Sequence, residues 1–425
     1  MYTTPHCRAS RVLVAATALV VAACSPDAGP LSPAHDAVAL KGGVSATIGR
    51  ASPAWQALAV TMVSQASYSP LQAARAYPLV GVAQYRAVQR AEASLGVTNT
   101  DQQPASANGV GAGGRTRLEA DRGAVAGASA AVLAYLFPSR LAEIAALVSA
   151  QANTGPGGVH PAFVAGEAIG RAVGAEMVAR AAADNFSAVV PLGPPAGPGY
   201  WISNTAPATT AGSQLPGVTP WFLTSASQFR AAPPPPFGSA AFLAARNEIR
   251  QIADTRTAQQ SQIAGFWALN NGTPTASGFW MQQASDAISQ ADLTERQATH
   301  VYALTSAAML DAAIGCWESK ILYWYIRPYQ ADPGITVLAS VGRPNHPSYP
   351  SGHSCVSGAG AAVLASLFPA EADRLNAMVV EAGLSRMYGG IHYRFDCDAG
   401  QLLGRQTAAF AIAADASGQS PLTDH

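Results

Sequence analysis

Alanine at helical spacing, cut into lengths by proline and glycine, constrains this chain more than any other feature of its sequence. From Trp55 to Gly96 apolar residues recur three and four apart, with Pro70 and Pro78 as punctuation, which predicts two or three helices. The pattern resumes over Arg117 to Phe137, Ser139 to Ala152 and Pro161 to Asn185, with breaks at Pro138 and at Gly155 to Gly158. Alanine is the best helix former and lets helices approach closely. Further helices are expected over Ser239 to Phe266, from a Thr294/Gln297 capping box to about Tyr325, over Gly352 to Leu367, Ala370 to Ser385, and about His392 to Ala414. No alternating strand ladder is present, and no internal repeat of roughly 20 to 50 residues. The expected fold class is all-α, a helical bundle with long Pro-rich loops.

Two stretches interrupt it. Residues 98 to 114 are rich in Gly, Ser and Asn and read as a loop. Val189 to Phe237 carries Pro191, Pro194, Pro195, Pro198 and Pro233 to Pro236, which forbid a long helix. An irregular connection of this length is uncommon in a compact domain. It either wraps the helices, pinned by Tyr200, Trp201 and Trp221, or roofs the mouth of a site.

Of 425 residues, 49% are hydrophobic and 12% charged, with 25 basic against 25 acidic side chains, so nothing suggests a nucleic-acid partner. Residues 1 to 23 read as a signal peptide, with His6, Arg8 and Arg11 ahead of an apolar run from Val12 to Ala23 that is too short to span a bilayer. The run ends in Val21-Ala22-Ala23-Cys24, which resembles a bacterial lipobox with Cys24 as the lipidated residue; an ordinary secretory signal or an uncleaved anchor is the other reading. Residues 24 to 48 form a flexible linker rich in Pro, Ala, Gly and Asp. Removing the leader takes away Arg8 and Arg11 and leaves 23 basic against 25 acidic side chains, a formal charge of −2. No long apolar run remains. The expectation is an exported protein, periplasmic or an outer-membrane lipoprotein, with a catalytic domain over 49 to 418 that touches membrane only through Cys24.

The chemistry-bearing residues cluster in a core at 316 to 400. Lys320 and Arg327, seven apart near a helix end, are expected on one face, with Pro328 stopping the helix; a compact ammonium and a planar guanidinium together suit an oxyanion. Pro350-Ser351-Gly352-His353 reads as a helix start, with Ser351 as N-cap and free backbone N–H groups that favour anions. Gly352 allows close backbone approach, and His353 stands next to it as an acid or base. Ser385-Arg386 closes a helix, Gly389-Gly390 turns the chain and His392 opens the next. Asp396, one turn on, can accept the Nδ1 hydrogen of His392 and present Nε2 to a ligand. Each block alone is also compatible with an ordinary helix face, cap or pair. Cys316, Cys355 and Cys397 lie beside the blocks, either as one disulfide and a free thiol or as three buried small side chains.

Taken together, the three blocks resemble the signature shared by type 2 phosphatidic acid phosphatases (PAP2), bacterial class A acid phosphatases and vanadium-dependent haloperoxidases. His346-Pro347-Ser348-Tyr349-Pro350-Ser351-Gly352-His353 and Ser385-Arg386-Met387-Tyr388-Gly389-Gly390-Ile391-His392 resemble the haloperoxidase versions, and Trp317, Pro344 and His346 resemble their halide pocket. The resemblance implies vanadate as cofactor, with His392 as its protein ligand and Lys320, Arg327, Ser351, Gly352 and Arg386 on its oxygens. It further implies hydrogen peroxide, a halide and a small organic acceptor as partners, with bromide or iodide favoured on His346. His353 would manage protons and Lys320 would polarise bound peroxide. The same residues also fit a phosphomonoesterase with phosphate in the pocket, a phosphohistidine at His392 and His353 protonating the leaving group. A third reading is a surface lipoprotein that only binds the oxyanion.

Overall fold

The computed structural model describes residues 49–96, 112–152, 158–191 and 193–423. The expected leader, Cys24 and the expected linker lie outside the described residues, as do most of the expected 98–114 loop and residues 155–157. Two helices open the described chain: α1 (Ser52–Gln65) and α2 (Pro70–Ser94). Ser69 caps α2 in a capping box with Gln72, and Pro70 sits in its first turn, where no donor is needed. Pro78 does not punctuate as expected. It lies inside α2, flanked by the buried side chains of Tyr77 and Leu79, and the packing of that segment outweighs one missing hydrogen bond.

Next come α3 (Ala112–Leu136), α4 (Leu141–Ala152) and α5 (Pro161–Ala183). The expected helix over Ser239 to Phe266 is two, α6 (Ala240–Thr255) and α7 (Ala258–Phe266), because Thr257 and Gln260 build a second capping box between them. A helix that the sequence reading passed over, α8 (Thr275–Gln290), precedes α9 (Glu295–Tyr323) and the single-turn α10 (Pro328–Ala331). Then follow α11 (Gly352–Leu367), α12 (Ala372–Tyr388) and α13 (Arg394–Ala416). Among the described residues there is no strand, only an isolated bridge between Tyr200 and Tyr325. None of the described helices is long and apolar enough to cross a membrane.

The core is built round α9, whose side chains are buried on every face, as a helix must be when others surround it. Helices α2, α8, α11 and α13 pack against it. Small residues set how close the neighbours come. A Cβ on Gly123 would lie 2.1 Å from the Phe163 carbonyl, and one on Gly170 2.1 Å from that of Ala124, so α3 and α5 cross backbone to backbone. In the C-terminal half a Cβ on Gly404 would lie 2.2 Å from the Cys355 carbonyl. That contact draws the start of α11 against α13.

Among its described residues the Pro-rich stretch contains only one short 3-10 turn, Leu215–Gly217, and it is held by α9. The Asp311 carboxylate accepts the N–H groups of Trp221, Phe222 and Leu223 at 2.8, 2.7 and 3.0 Å. Ser319 Oγ accepts from Ala231 N–H at 3.1 Å, and Trp317 Nε1 donates to the Ala211 carbonyl at 2.9 Å. Trp201 and Trp221 are buried pins; Tyr200 is 40% exposed and is held through its backbone bridge instead. Gly212, at φ +81°, turns the chain where the Trp317 ring leaves no room for a side chain.

Candidate functional site

Lys320 stands in the last turn of α9, and the helix then ends differently from expectation. Trp324 takes a left-handed conformation (φ 47°, ψ 35°) while its N–H still bonds the Lys320 carbonyl at 2.9 Å. The Pro-rich stretch holds that exit: Trp201 N–H donates to the Trp324 carbonyl at 2.7 Å, and Ile326 N–H to that of Gly199 at 3.0 Å. Lys320 and Arg327 therefore do not share a helix face, and Pro328 opens α10 rather than stopping α9. They converge by tertiary structure. Lys320 Nζ donates to the carbonyls of Pro347 and Ser348 at 2.8 and 2.9 Å. Arg327 donates from Nε and Nη2 to the His346 carbonyl at 3.1 and 2.9 Å, and from Nη1 to that of Ile391 at 2.8 Å.

The same Nη1 lies 3.0 Å from His392 Nε2. A guanidinium only donates, so Nε2 is the acceptor and the ring proton sits on Nδ1, which meets Asp396 Oδ2 at 2.8 Å. Asp396 Oδ2 is held in turn by the Ser348 hydroxyl and by Tyr393 N–H at 3.1 Å. His392 does not open a helix: Tyr393 caps α13, which starts at Arg394, so the imidazole projects from the turn before it. Likewise α12 runs past Ser385-Arg386 to Tyr388, before Gly389-Gly390 turns the chain. Arg386 Nη2 reaches the Ala264 carbonyl at 3.2 Å.

Ser351 is the N-cap of α11, its hydroxyl accepting from Ser354 N–H at 3.4 Å and its N–H donating to the Asp396 carbonyl at 2.9 Å. The N–H groups of Gly352 and His353, in the first turn, have no intrahelical acceptor. A Cβ on Gly352 would meet the Trp317 ring at 3.2 Å. His353 Nε2 is buried without a hydrogen-bond partner among the described residues.

Burial dominates the electrostatics. It lowers Lys320 to about 8 and Arg386 to about 10, and it also lowers Arg327. Burial first, then neighbouring cations, push His346, His353 and His392 well below the ordinary imidazole range, so all three are neutral. Burial raises Asp396 to about 7. Among the described residues Lys320, Arg327 and Arg386 have no salt bridge to a carboxylate, so the site holds uncompensated positive charge.

A cavity of about 560 Å³ opens onto this cluster. Trp317, Pro344, His346, Gly352, His353, Arg386 and His392 line it, while Lys320, Arg327, Ser351 and Asp396 stand behind that wall. The rings of Trp317 and His346 lie 5.1 Å apart. Ala211 and Gly212 also line it, so the Pro-rich stretch both wraps the helices and walls the cavity. The sequence reading missed Arg343, Asn270 and Asn271 on the lining; of these, only Arg343, next to Pro344, carried a readable signal. It also missed Ser348 as the second support of Asp396. Cys316, Cys355 and Cys397 are free and buried, so no disulfide clamps the blocks.

Residues 298–416, from the first turn of α9 to the end of α13, match the model of the PAP2 superfamily. Over that stretch the chain is similar to the PAP2 superfamily. The matched stretch contains every site residue expected from the sequence. A non-specific acid phosphatase of Providencia stuartii is 28% identical over 184 residues, 42% of this chain and 70% of that protein. Among solved structures, a bacterial vanadium-dependent iodoperoxidase superposes with a TM-score of 0.65 at 24% identity, covering 85% of this chain and 96% of the other. The apo and holo forms of a bacterial vanadium-dependent chloroperoxidase both give 0.59, at 15% and 13% identity, covering 79% and 82% of this chain and 91% and 92% of theirs. The all-α fold is thus shared with these haloperoxidases.

Proposed function

We propose that this protein is a vanadium-dependent haloperoxidase that oxidises bromide or iodide with hydrogen peroxide to a hypohalous species. The observation that carries the reading is the neutral His392 imidazole at a cavity wall backed by buried cations that no carboxylate neutralises. Such a wall stabilises a small multiply charged anion, because preorganised donors in a dry site act far more strongly than in water. The unpartnered Nε2 of His353 is the second part of the fit, a buried polar atom that an oxyanion oxygen would satisfy.

Vanadate would be held by His392 Nε2 in place of the Arg327 Nη1 hydrogen bond that it accepts in this structure, with the released Arg327 hydrogen, Arg386, the remaining hydrogen of Lys320, the Ser351 hydroxyl and the first-turn amides of α11 on its oxygens. When bound, it supplies the Lewis acid that activates hydrogen peroxide toward a halide. The chain's own residues do the rest. Asp396 fixes the His392 tautomer and ring plane, supported by Ser348. His353, kept neutral by burial, accepts and returns protons at Nε2. Trp317, Pro344 and His346 shape the space next to the cradle where a halide would enter.

The likeness in fold to the iodoperoxidase extends over both halves of this chain, whereas the acid phosphatase match covers less than half, and this supports the peroxidase reading. That match favours a second reading, a phosphomonoesterase in which His392 Nε2 attacks phosphorus and His353 protonates the leaving group. The test is direct. Protein reconstituted with vanadate is expected to brominate or iodinate a reporter dye with hydrogen peroxide; turnover of p-nitrophenyl phosphate with no halide oxidation would replace this reading with the second.

A further inference from the structure

The haloperoxidase reading uses one wall of the cavity. The lining also includes residues outside 298–416, with Leu71, Phe186 and Ala276 among the apolar ones and Asn270 among the amides. At about 560 Å³ the cavity falls within the range of roughly 300 to 1,000 Å³ typical of pockets for organic ligands. An oxyanion, peroxide and halide fill only part of such a space. None of the described residues lining it is Asp or Glu. Arg343 lines it, exposed, with its guanidinium carbon 5.2 Å from the Tyr329 ring centroid and no carboxylate partner among the described residues.

We propose that the cavity binds a small aromatic carboxylic acid as the halogen acceptor. The ring packs against Leu71, Phe186 and Val341, and the carboxylate pairs with Arg343. The inference rests on the haloperoxidase reading and deepens it by naming the acceptor class. Hypohalous acid formed at the cradle meets the ring in place: its halogen–oxygen bond breaks, a carbon–halogen bond forms, and the ring proton leaves with the hydroxide as water. An apolar wall suits the aryl body, and the absence of carboxylates admits an anion that a mixed-charge lining would repel. The arginine fork matches a carboxylate with two parallel donors.

Calorimetric titration with 4-hydroxybenzoate, in saturating inorganic phosphate so that the oxyanion cradle is filled, tests this against the uncharged 4-hydroxybenzyl alcohol. The acid is expected to bind about tenfold tighter than the alcohol, the size of one charge-assisted hydrogen bond. Arg343→Gln should abolish the difference and Arg343→Lys should keep part of it; as an exposed residue, Arg343 can be changed without loss of fold. Equal binding of acid and alcohol, unchanged preference in Arg343→Gln, or displacement of the acid by phosphate would each overturn the proposal. Iodide oxidation measured without an organic acceptor reports on the haloperoxidase reading alone, and its absence leaves the titration to decide this site independently.

Discussion

Buried charge is handled in opposite ways at two places in this molecule. Where α2, α3 and α9 meet, the Glu92 carboxylate is 1% exposed and takes Arg117 at 2.5 Å and Arg296 at 2.6 Å, while Arg122 pairs with Glu119 at 2.9 Å. Each cation there has a carboxylate, which is how a scaffold tolerates buried charge. At the other cluster Lys320, Arg327 and Arg386 are fully buried, and among the described residues they share hydrogen bonds only with carbonyls, a hydroxyl and imidazoles. Their one nearby carboxylate, Asp396, is committed to His392 and Ser348. In the first cluster the fold itself supplies a carboxylate to each cation. The second becomes complete only with an anion, and that difference, rather than the number of charges, separates support from site.

The comparison can be broken by substitution. The largest effect is expected from His392→Ala, which should lower oxyanion affinity by more than about a hundredfold while the fold persists, measured by calorimetry with phosphate or vanadate. Lys320→Met should weaken oxyanion binding roughly ten- to a hundredfold, the worth of a hydrogen bond to a charged group. It should also raise the melting temperature of the anion-free protein, because a buried cation that no carboxylate neutralises is removed. Glu92→Gln should do the reverse, leaving oxyanion affinity unchanged and lowering stability by about 2 kcal/mol. That is less than a fully buried pair would lose, because both arginines are about a quarter exposed and can turn to water. A stability loss on Lys320→Met, or an affinity loss on Glu92→Gln, would erase the distinction.

Smaller effects sharpen it. Gly404→Ala and Gly170→Ala each force a methyl against a carbonyl and should cost about 1–3 kcal/mol, read by denaturant unfolding. Only the first should also weaken oxyanion binding, since it pushes α13 from the start of α11. The smallest expected effect is on pH dependence. Between about 8, its folded value, and 10.5, Lys320 holds its proton more firmly in the unfolded chain, so stability rises with pH there. Asp396, raised to about 7 from 3.8, holds its proton more firmly in the folded chain, so stability falls as pH rises across that window. For these two groups the anion-free protein is least stable between about pH 7 and 8. Thermal unfolding across that range should show the dip, and saturating phosphate should shallow it.

Much of this was legible in the chain itself. Periodicity and caps gave the all-α class and the span of α11, because Ser351 and a run of small residues leave little choice. The three blocks named residues that the fold brings together at or just behind one cavity wall, and Asp396 stands one turn from His392 as the spacing implies. What failed was local extrapolation where distant segments decide. Nothing near Trp324 announces that Gly199 and Trp201 will hold its backbone and end α9 there. Pro78 looked like a break because its flanking contacts come from other helices. The part of the cavity lining that includes Leu71, Phe186 and Asn270 carries no motif at all and is assembled only by the fold.

The most direct measurement is the stoichiometry of vanadate bound to the purified protein and to His392→Ala, followed by elemental analysis after removal of free ion. One vanadium per wild-type chain, lost in the variant, is the expected result. Retention of vanadium by the variant, or none on the wild type, would contradict the view that these buried cations exist to hold an oxyanion against His392.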